Sequence, residues 1–290
     1  MRQGTLAALL IVPALFLLAA VLAWPLLSAI LMSFRDVRVV GSDGPFVGFD
    51  NYRKVLADPA FWGAAKLSLI WVVANALVQT ALALAAALVL HQRFRGVAIA
   101  RTWIILSWIV PTVVVVMIWR WLFSTSGGVV NPALVGMGLV DRPVGFFATP
   151  WSAFATLVFI NSWRWFPFIT LMMLAGLTRI PADLIEAARV DGAGPWKRFT
   201  RITWPLLAPT MTVLLVIGTL LSFNVFDVIW LLTSGGPAGG TRTLPVLIYE
   251  TAFKGYRISE AATIAVMASV LLMAFAVFAT RKLALSGEER

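Results

Sequence analysis

Leu177-Thr178-Arg179-Ile180-Pro181-Ala182-Asp183-Leu184-Ile185-Glu186-Ala187-Ala188-Arg189-Val190-Asp191-Gly192-Ala193 is a short stretch of mixed polarity set between two long apolar runs, Trp151 to Leu177 and Pro205 to Leu232. Read physically, it is a surface helix. Pro181 suits a first helical position, Asp183 and Glu186 place negative charge near the positive N-terminal end, and Gly192 can close the far end in a left-handed conformation. Pro195 can start a second helical turn, in which Trp196, Phe199 and Ile202 recur at helical spacing until Pro205 opens the next apolar run. So short a helix buries too little surface to stand alone, and Leu184, Ala187, Ala188 and Val190 must pack on something. Two readings are open here: a loop packed on the chain's own helices, or a helix that docks in a cleft of a soluble partner and carries its motion.

Outward from this stretch the chain is dominated by apolar segments. Besides the two flanking runs there are four more, about Leu6 to Leu31, Ala64 to Leu90, Thr102 to Phe123 and Ala261 to Thr280. A helix needs roughly 20 largely apolar residues to cross about 30 Å of hydrocarbon, and each run approaches or exceeds that length. With 60% hydrophobic and only 12% charged residues and a mean hydropathy of +0.91, the 290-residue chain is expected to be an all-α integral membrane protein of six spanning helices. Helices follow because no lipid-exposed backbone can leave its polar groups unpaired. The first run is too long for a signal core and has no convincing small-residue cleavage site, so it reads as a retained helix. No linker or internal repeat divides the chain, which reads as a single transmembrane domain over residues 1–290.

The net charge of +10 is explained more simply by topology than by nucleic acid. Placing both termini in the cytoplasm puts residues 1–5, His91 to Arg101, Arg179 to Trp204 and Arg281 to Arg290 on one side. These segments hold 12 of the Lys and Arg residues, against eight in the longer opposite loops. The outer loops, rich in Gly, Pro and aromatic residues such as Gly127-Gly128 and Gly235-Gly236-Pro237, are expected to form compact turns near a membrane interface.

The opening stretch also carries a family pattern. Glu186-Ala187-Ala188, Asp191-Gly192-Ala193, then Phe199, Ile202 and Pro205 resemble the EAA loop of the permease subunits of binding-protein-dependent ABC importers, at that family's spacing. Phe223 to Pro237, with Asn224, Asp227 and Gly235-Gly236-Pro237, is similar to the fifth-helix exit of carbohydrate-importer permeases of the maltose-permease type. Val47-Gly48-Phe49-Asp50-Asn51-Tyr52, followed by Asp58-Pro59, resembles their first outer loop. The resemblance implies the type I importer arrangement of six helices, with the coupling loop at about residues 179–204. Glu186, Ala187, Ala188, Asp191, Gly192 and Ala193 are then expected to contact a separate ATPase. It further implies a second permease subunit, two copies of an ATP-binding subunit that hold ATP and Mg, an extracytoplasmic substrate-binding protein, and a sugar or sugar derivative as cargo at the bacterial inner membrane. This chain departs from the maltose permease in lacking its extra N-terminal helices and large outer domain, which leaves the solute itself open.

Polar groups inside apolar runs cost free energy and tend to face a cavity or a neighbouring helix. Asn75, Gln79, Asn161, Ser162, Arg164, Thr219, Ser222, Asn224 and Asp227 are such groups, and Trp119, Trp163, Trp165 and Trp230 can supply flat faces for a sugar ring. The family's contact positions, carried over from the EAA loop, fall on Ser162, Arg164, Trp165, Gly218, Ser222 and Val225. The expected pathway is therefore Asn161, Ser162, Arg164, Trp165, Gly218, Ser222, Asn224 and Asp227. Asn and Ser equally often join helices, and Trp often marks the interface. Arg164 and Asp227 are expected either to pair between the fourth and fifth helices or to leave Arg164 facing an anionic solute, such as an acidic sugar or glycerol phosphate.

The chain lacks a Gly-x-x-x-x-Gly-Lys-Ser/Thr phosphate loop, cysteine and a Gly-x-Ser-x-Gly elbow, and it has one histidine. No catalytic residue, metal site or resident cofactor is therefore expected, and energy must come from a partner. A secondary transporter would call for inverted repeats and ion-coordinating carboxylates, and an enzyme of lipid-linked sugars for clustered acids. Both leave the EAA loop unexplained. Outer residues Tyr249, Glu250 and Tyr256 are expected near a binding-protein contact.

Overall fold

The structure is a computed structural model that describes residues 3–39, 42, 44–92 and 94–288. Arg2, Arg93 and Arg290, which entered the charge pattern, lie outside the described residues. Among the described residues thirteen α-helices follow one another: α1 Gln3–Ser33, α2 Asp50–Ala57, α3 Pro59–His91, α4 Val97–Ile109, α5 Thr112–Leu122, α6 Val130–Gly136, α7 Pro150–Thr178, α8 Ala182–Val190, α9 Pro195–Arg198, α10 Trp204–Phe223, α11 Asp227–Thr233, α12 Leu244–Tyr249 and α13 Ile258–Glu288. Short π-helical turns at Phe199–Thr203 and Glu250–Lys254 join α9 to α10 and extend α12. Extended pairing among the described residues is confined to one isolated antiparallel bridge between Arg35 and Phe46.

Five stretches of the described chain are long and apolar enough to cross a membrane, and the α4–α5 pair makes a sixth span if counted together. That pair corrects the reading of Thr102 to Phe123 as one straight run, because α4 and α5 meet at 97°. The cause is local. Pro111 forces the residue before it out of the helical region, and Val110 accordingly sits at ψ 129°. The run Pro205 to Leu232 is likewise two helices, since α10 stops at Phe223 and Asn224 turns its side-chain amide back onto the Leu220 carbonyl at 2.9 Å. Pro205 does not open this span. The helical path already begins at Pro195 and runs to Phe223 through the π-helical turn.

By contact density the chain forms two units, residues 1–65 with 244–274 and residues 66–243 with 275–290. In the first, the Ser259 hydroxyl accepts from the Val37 amide at 2.6 Å and donates to the Val37 carbonyl, and Asn51 donates to the carbonyls of Ser33 and Arg35. Phe34 gathers Phe46, Phe49 and Tyr52 about itself. In the second, Ala83, Ala87 and Leu90 of α3, Met173, Leu174 and Leu177 of α7, and Leu207 and Met211 of α10 form a core. The small α3 residues let the helices approach closely, as suits packing in lipid, where apolar burial alone gives no drive. Gly176 shows how close: a Cβ there would lie 2.8 Å from the Leu207 Cδ1 and 3.0 Å from the Thr210 Oγ1.

Candidate functional site

The α8 loop is built as its sequence dictates. Pro181 is the cap rather than the first helical residue, since its ψ of 131° is still extended, and Ala182 starts the helix. Asp183 lies in the first turn and Arg189 in the last, each favourably placed against the helix dipole. At the far end Gly192 takes φ +75°. Its amide donates to the Arg189 carbonyl at 3.0 Å, and the Ala193 amide donates to the Ala188 carbonyl at 2.9 Å, the paired bonds of a Schellman cap. Arg198 then reaches back to the Ala193 carbonyl at 2.7 Å and ties α9 to the cap.

Capped at its C-terminal end, α8 buries none of its residues. Leu184 is 47% exposed and Val190 88%, with Trp196 of α9 at 76% beside them in sequence. Glu186, Ala187, Asp191 and Gly192 are exposed, and Ala188 and Ala193 half-buried. Of the two readings of this helix, packing on the chain's own helices leaves these apolar side chains uncovered.

The second site is a cavity of about 20 Å³ between α3, α7 and α10, lined by Gln79, Trp165, Phe168, Ile169, Leu214, Ile217, Gly218, Leu221 and Ser222. Three residues expected in the pathway, Trp165, Gly218 and Ser222, meet here. Gln79 joins them, having been marked as a polar group in an apolar run but not placed in the pathway. The space admits one water and falls more than tenfold short of an ordinary small-molecule pocket. At Gly218 the wall has room, because a Cβ added there meets nothing within 4 Å.

Behind the cavity runs a buried polar chain. Gln79 donates to the Asn75 Oδ1 at 3.1 Å, Asn161 donates to the same oxygen at 2.7 Å, and Asn75 donates to the Trp71 carbonyl. Trp71 in turn donates from its indole to the Ser222 carbonyl at 3.0 Å. Three helices are thereby fixed at one level. Asn161 and Ser162 are completely buried and lie outside the cavity wall, with the Asn161 Oδ1 and the Ser162 hydroxyl holding no protein partner.

Arg164 and Asp227 do come together, with Nη1 and Oδ2 3.8 Å apart. Asp227 also accepts from the Val228 amide at the start of α11, and the Arg164 guanidinium lies 5.4 Å from the Trp165 ring centre. Neither residue lines the cavity, but the Trp165 ring that Arg164 faces does. Asn224 is exposed, its amide spent on the Leu220 carbonyl, and Val225 is buried. Val225 is also absent from the cavity wall.

Residues 79–284 match the family of binding-protein-dependent transport system inner membrane components, a span that includes the α8 loop and every residue of the cavity wall. The chain belongs to this family. As a permease of that kind it is a multi-pass inner-membrane protein and a transport subunit rather than an enzyme. It is similar to the trehalose/maltose transport system permease of Thermococcus litoralis, at 35% identity over 95% of this chain and 92% of that one. It is also similar to the sulfoquinovosyl glycerol transport system permease of Agrobacterium fabrum, at 33% identity over 92% of this chain and 87% of the other. Among solved structures, a chain of a bacterial ABC transporter involved in the import of the acidic polysaccharide alginate superposes with a TM-score of 0.85 at 26% identity, covering 98% of this permease and 96% of that chain. The family expected from the EAA loop is thus the family found.

Proposed function

We propose that this permease forms one half of the translocation pathway of an ATP-driven importer for a sugar or sugar derivative, with α8 as the element that couples it to a separate ATPase. The observation that carries this reading is a helix closed at its C-terminal end yet uncovered along its apolar side chains, Leu184 and Val190. A nine-residue helix gains little from its own hydrogen bonds. A groove on a partner would supply the missing contacts. With both termini cytoplasmic, as the charge distribution favours, α8 faces the nucleotide compartment, and Tyr249, Glu250 and Tyr256 lie toward an extracytoplasmic binding protein.

The pathway in this reading runs past Trp165, Gly218, Ser222 and Gln79. At about 20 Å³ their cavity is closed, and solute passes only when a second permease subunit and these helices part to widen it. ATP and Mg stay on two ATPase subunits, whose approach moves α8. Trp165 offers a face for a sugar ring, with Gln79 and Ser222 as hydrogen-bonding groups beside it.

A narrower reading has its own support. Arg164 stands against the Trp165 ring, and two relatives are described by anionic cargo, sulfoquinovosyl glycerol and alginate. An acidic sugar would draw Arg164 from Asp227 to its own charged group. The decisive experiment is ATP-dependent uptake by the reconstituted complex, with Glu186→Lys and Gly192→Pro compared to the native chain while the ATPase subunits are checked for retention. Loss of uptake in assembled complexes supports coupling through α8, and normal transport by both variants refutes it. Arg164→Gln in the same assay separates acidic from neutral cargo.

A further inference from the structure

Between the end of α3 and the start of α4 the chain makes a corner whose chemistry transport leaves unused. An open cleft there is lined by His91, Gln92, Phe94, Arg95, Arg101 and Thr178 with Val97. Gly96, at φ +89°, makes the turn that brings Arg95 before α4 and Arg101 in its second turn to a common space. Residues 59–140 contain no Asp or Glu, and neither Arg95 nor Arg101 has a carboxylate within ion-pair distance among the described residues. Arg101 is anchored: one terminal nitrogen donates to the Leu90 carbonyl at 2.8 Å, at the last turn of α3. Its Nε is buried and has no protein acceptor. The guanidinium nonetheless lines the open cleft, and with Nη2 held by Leu90 and Nε buried, Nη1 is the nitrogen left to meet an anion there.

The surroundings say which kind of anion. Phe94, which lines the cleft, is 43% exposed, and Val97 lines it too, so the cleft carries an uncovered aromatic side chain and an apolar one where two apolar helices end. A soluble anion has no use for such a border, whereas a phospholipid presents phosphate and acyl chain together.

We propose that the α3–α4 corner binds the headgroup phosphate of an anionic phospholipid, with Arg101 and Arg95 as its cationic contacts and Phe94 beside its acyl chain. The inference rests on the chain spanning a bilayer and leaves its cargo open. It is read without transport, so its failure and a failure of the importer reading are distinguishable.

The test is lipid retention by the full-length chain in detergent, counted by native mass spectrometry after exposure to dioleoyl-phosphatidylglycerol or dioleoyl-phosphatidylcholine. The native chain is expected to prefer the anionic lipid, and Arg95→Gln and Arg101→Gln each to reduce its retention about fivefold, while Arg120→Gln, an equal change of charge at the end of α5, leaves it unchanged. Arg95 is exposed and makes no side-chain hydrogen bond given above, so Arg95→Gln carries the test even if loss of the Leu90 contact unfolds Arg101→Gln. Equal retention of both lipids by the native chain overturns the proposal. So does an Arg120→Gln loss as large as that of Arg95→Gln, which makes the effect diffuse charge. Displacement of the bound phosphatidylglycerol by inorganic phosphate at equal concentration assigns the cleft to a soluble anion and overturns the lipid.

Discussion

α7 and α8 are joined by a three-residue turn, yet they satisfy opposite conditions. The most apolar stretch of α7 is 56% buried, its polar Asn161 is hydrogen-bonded across to α3, and its Gly176 admits α10 at contact distance. α8 buries nothing, although its C-terminal end is closed by the Schellman bonds of Gly192 and Ala193. The difference is a division along the sequence: α7 is completed within the subunit, and α8 is left uncovered by it, as the proposed docking to a partner requires. Substitutions in the two should therefore separate stability from transport.

The largest effect on stability is expected from Gly176→Val, which forces α7 from Leu207 and Thr210. Overpacking of this kind costs roughly 1–3 kcal/mol, read as a lower melting temperature and poor yield in detergent. Asn161→Ala should follow at about 1 kcal/mol, with a double-mutant cycle against Asn75→Ala showing coupling of about 0.6 kcal/mol or more; additive losses would dissolve the polar chain as a unit. Gly218→Ala should leave stability within about 0.5 kcal/mol, since an added Cβ meets nothing within 4 Å, but narrow the cavity and slow uptake. The smallest change in stability belongs to Leu184→Ser with Val190→Ser, about zero by melting temperature, together with loss of the ATPase from the purified complex. A marked fall in melting temperature for this last pair would erase the contrast between the two helices.

Much of this was legible beforehand, and for identifiable reasons. Gly192 announced a left-handed end, and Asp183 and Glu186 a helix start, because capping is local chemistry. The breaks were harder to read. Pro111 carried a signal for the bend after α4, but hydropathy averages over a single residue and reports one run. The stop at Phe223 has no such marker, as both sides of Asn224 are apolar. Nor does spacing reveal that Trp165, Gly218 and Ser222 share a wall while Asn161 and Ser162 are sealed behind it. That difference depends on how α3 rotates against α7, which Gln79 and Asn75 settle by hydrogen bonding and not by any periodicity. The π-helical turn at Phe199–Thr203 is also a product of the whole chain.

That turn lies within an unbroken helical path from Pro195, just past the α8 loop, to Phe223, just past the cavity. From Pro195 to Gly218 the rod is about 35 Å long at 1.5 Å per residue. A lever of that length is sensitive to angle: a tilt of about 5° about one end displaces the other by about 3 Å, near the width of a water molecule. Under the proposed coupling, the gearing reduces to where along the rod its fulcrum sits, and the π-helical turn close to the loop end and Pro209 within α10 are the two places at which such a rod bends.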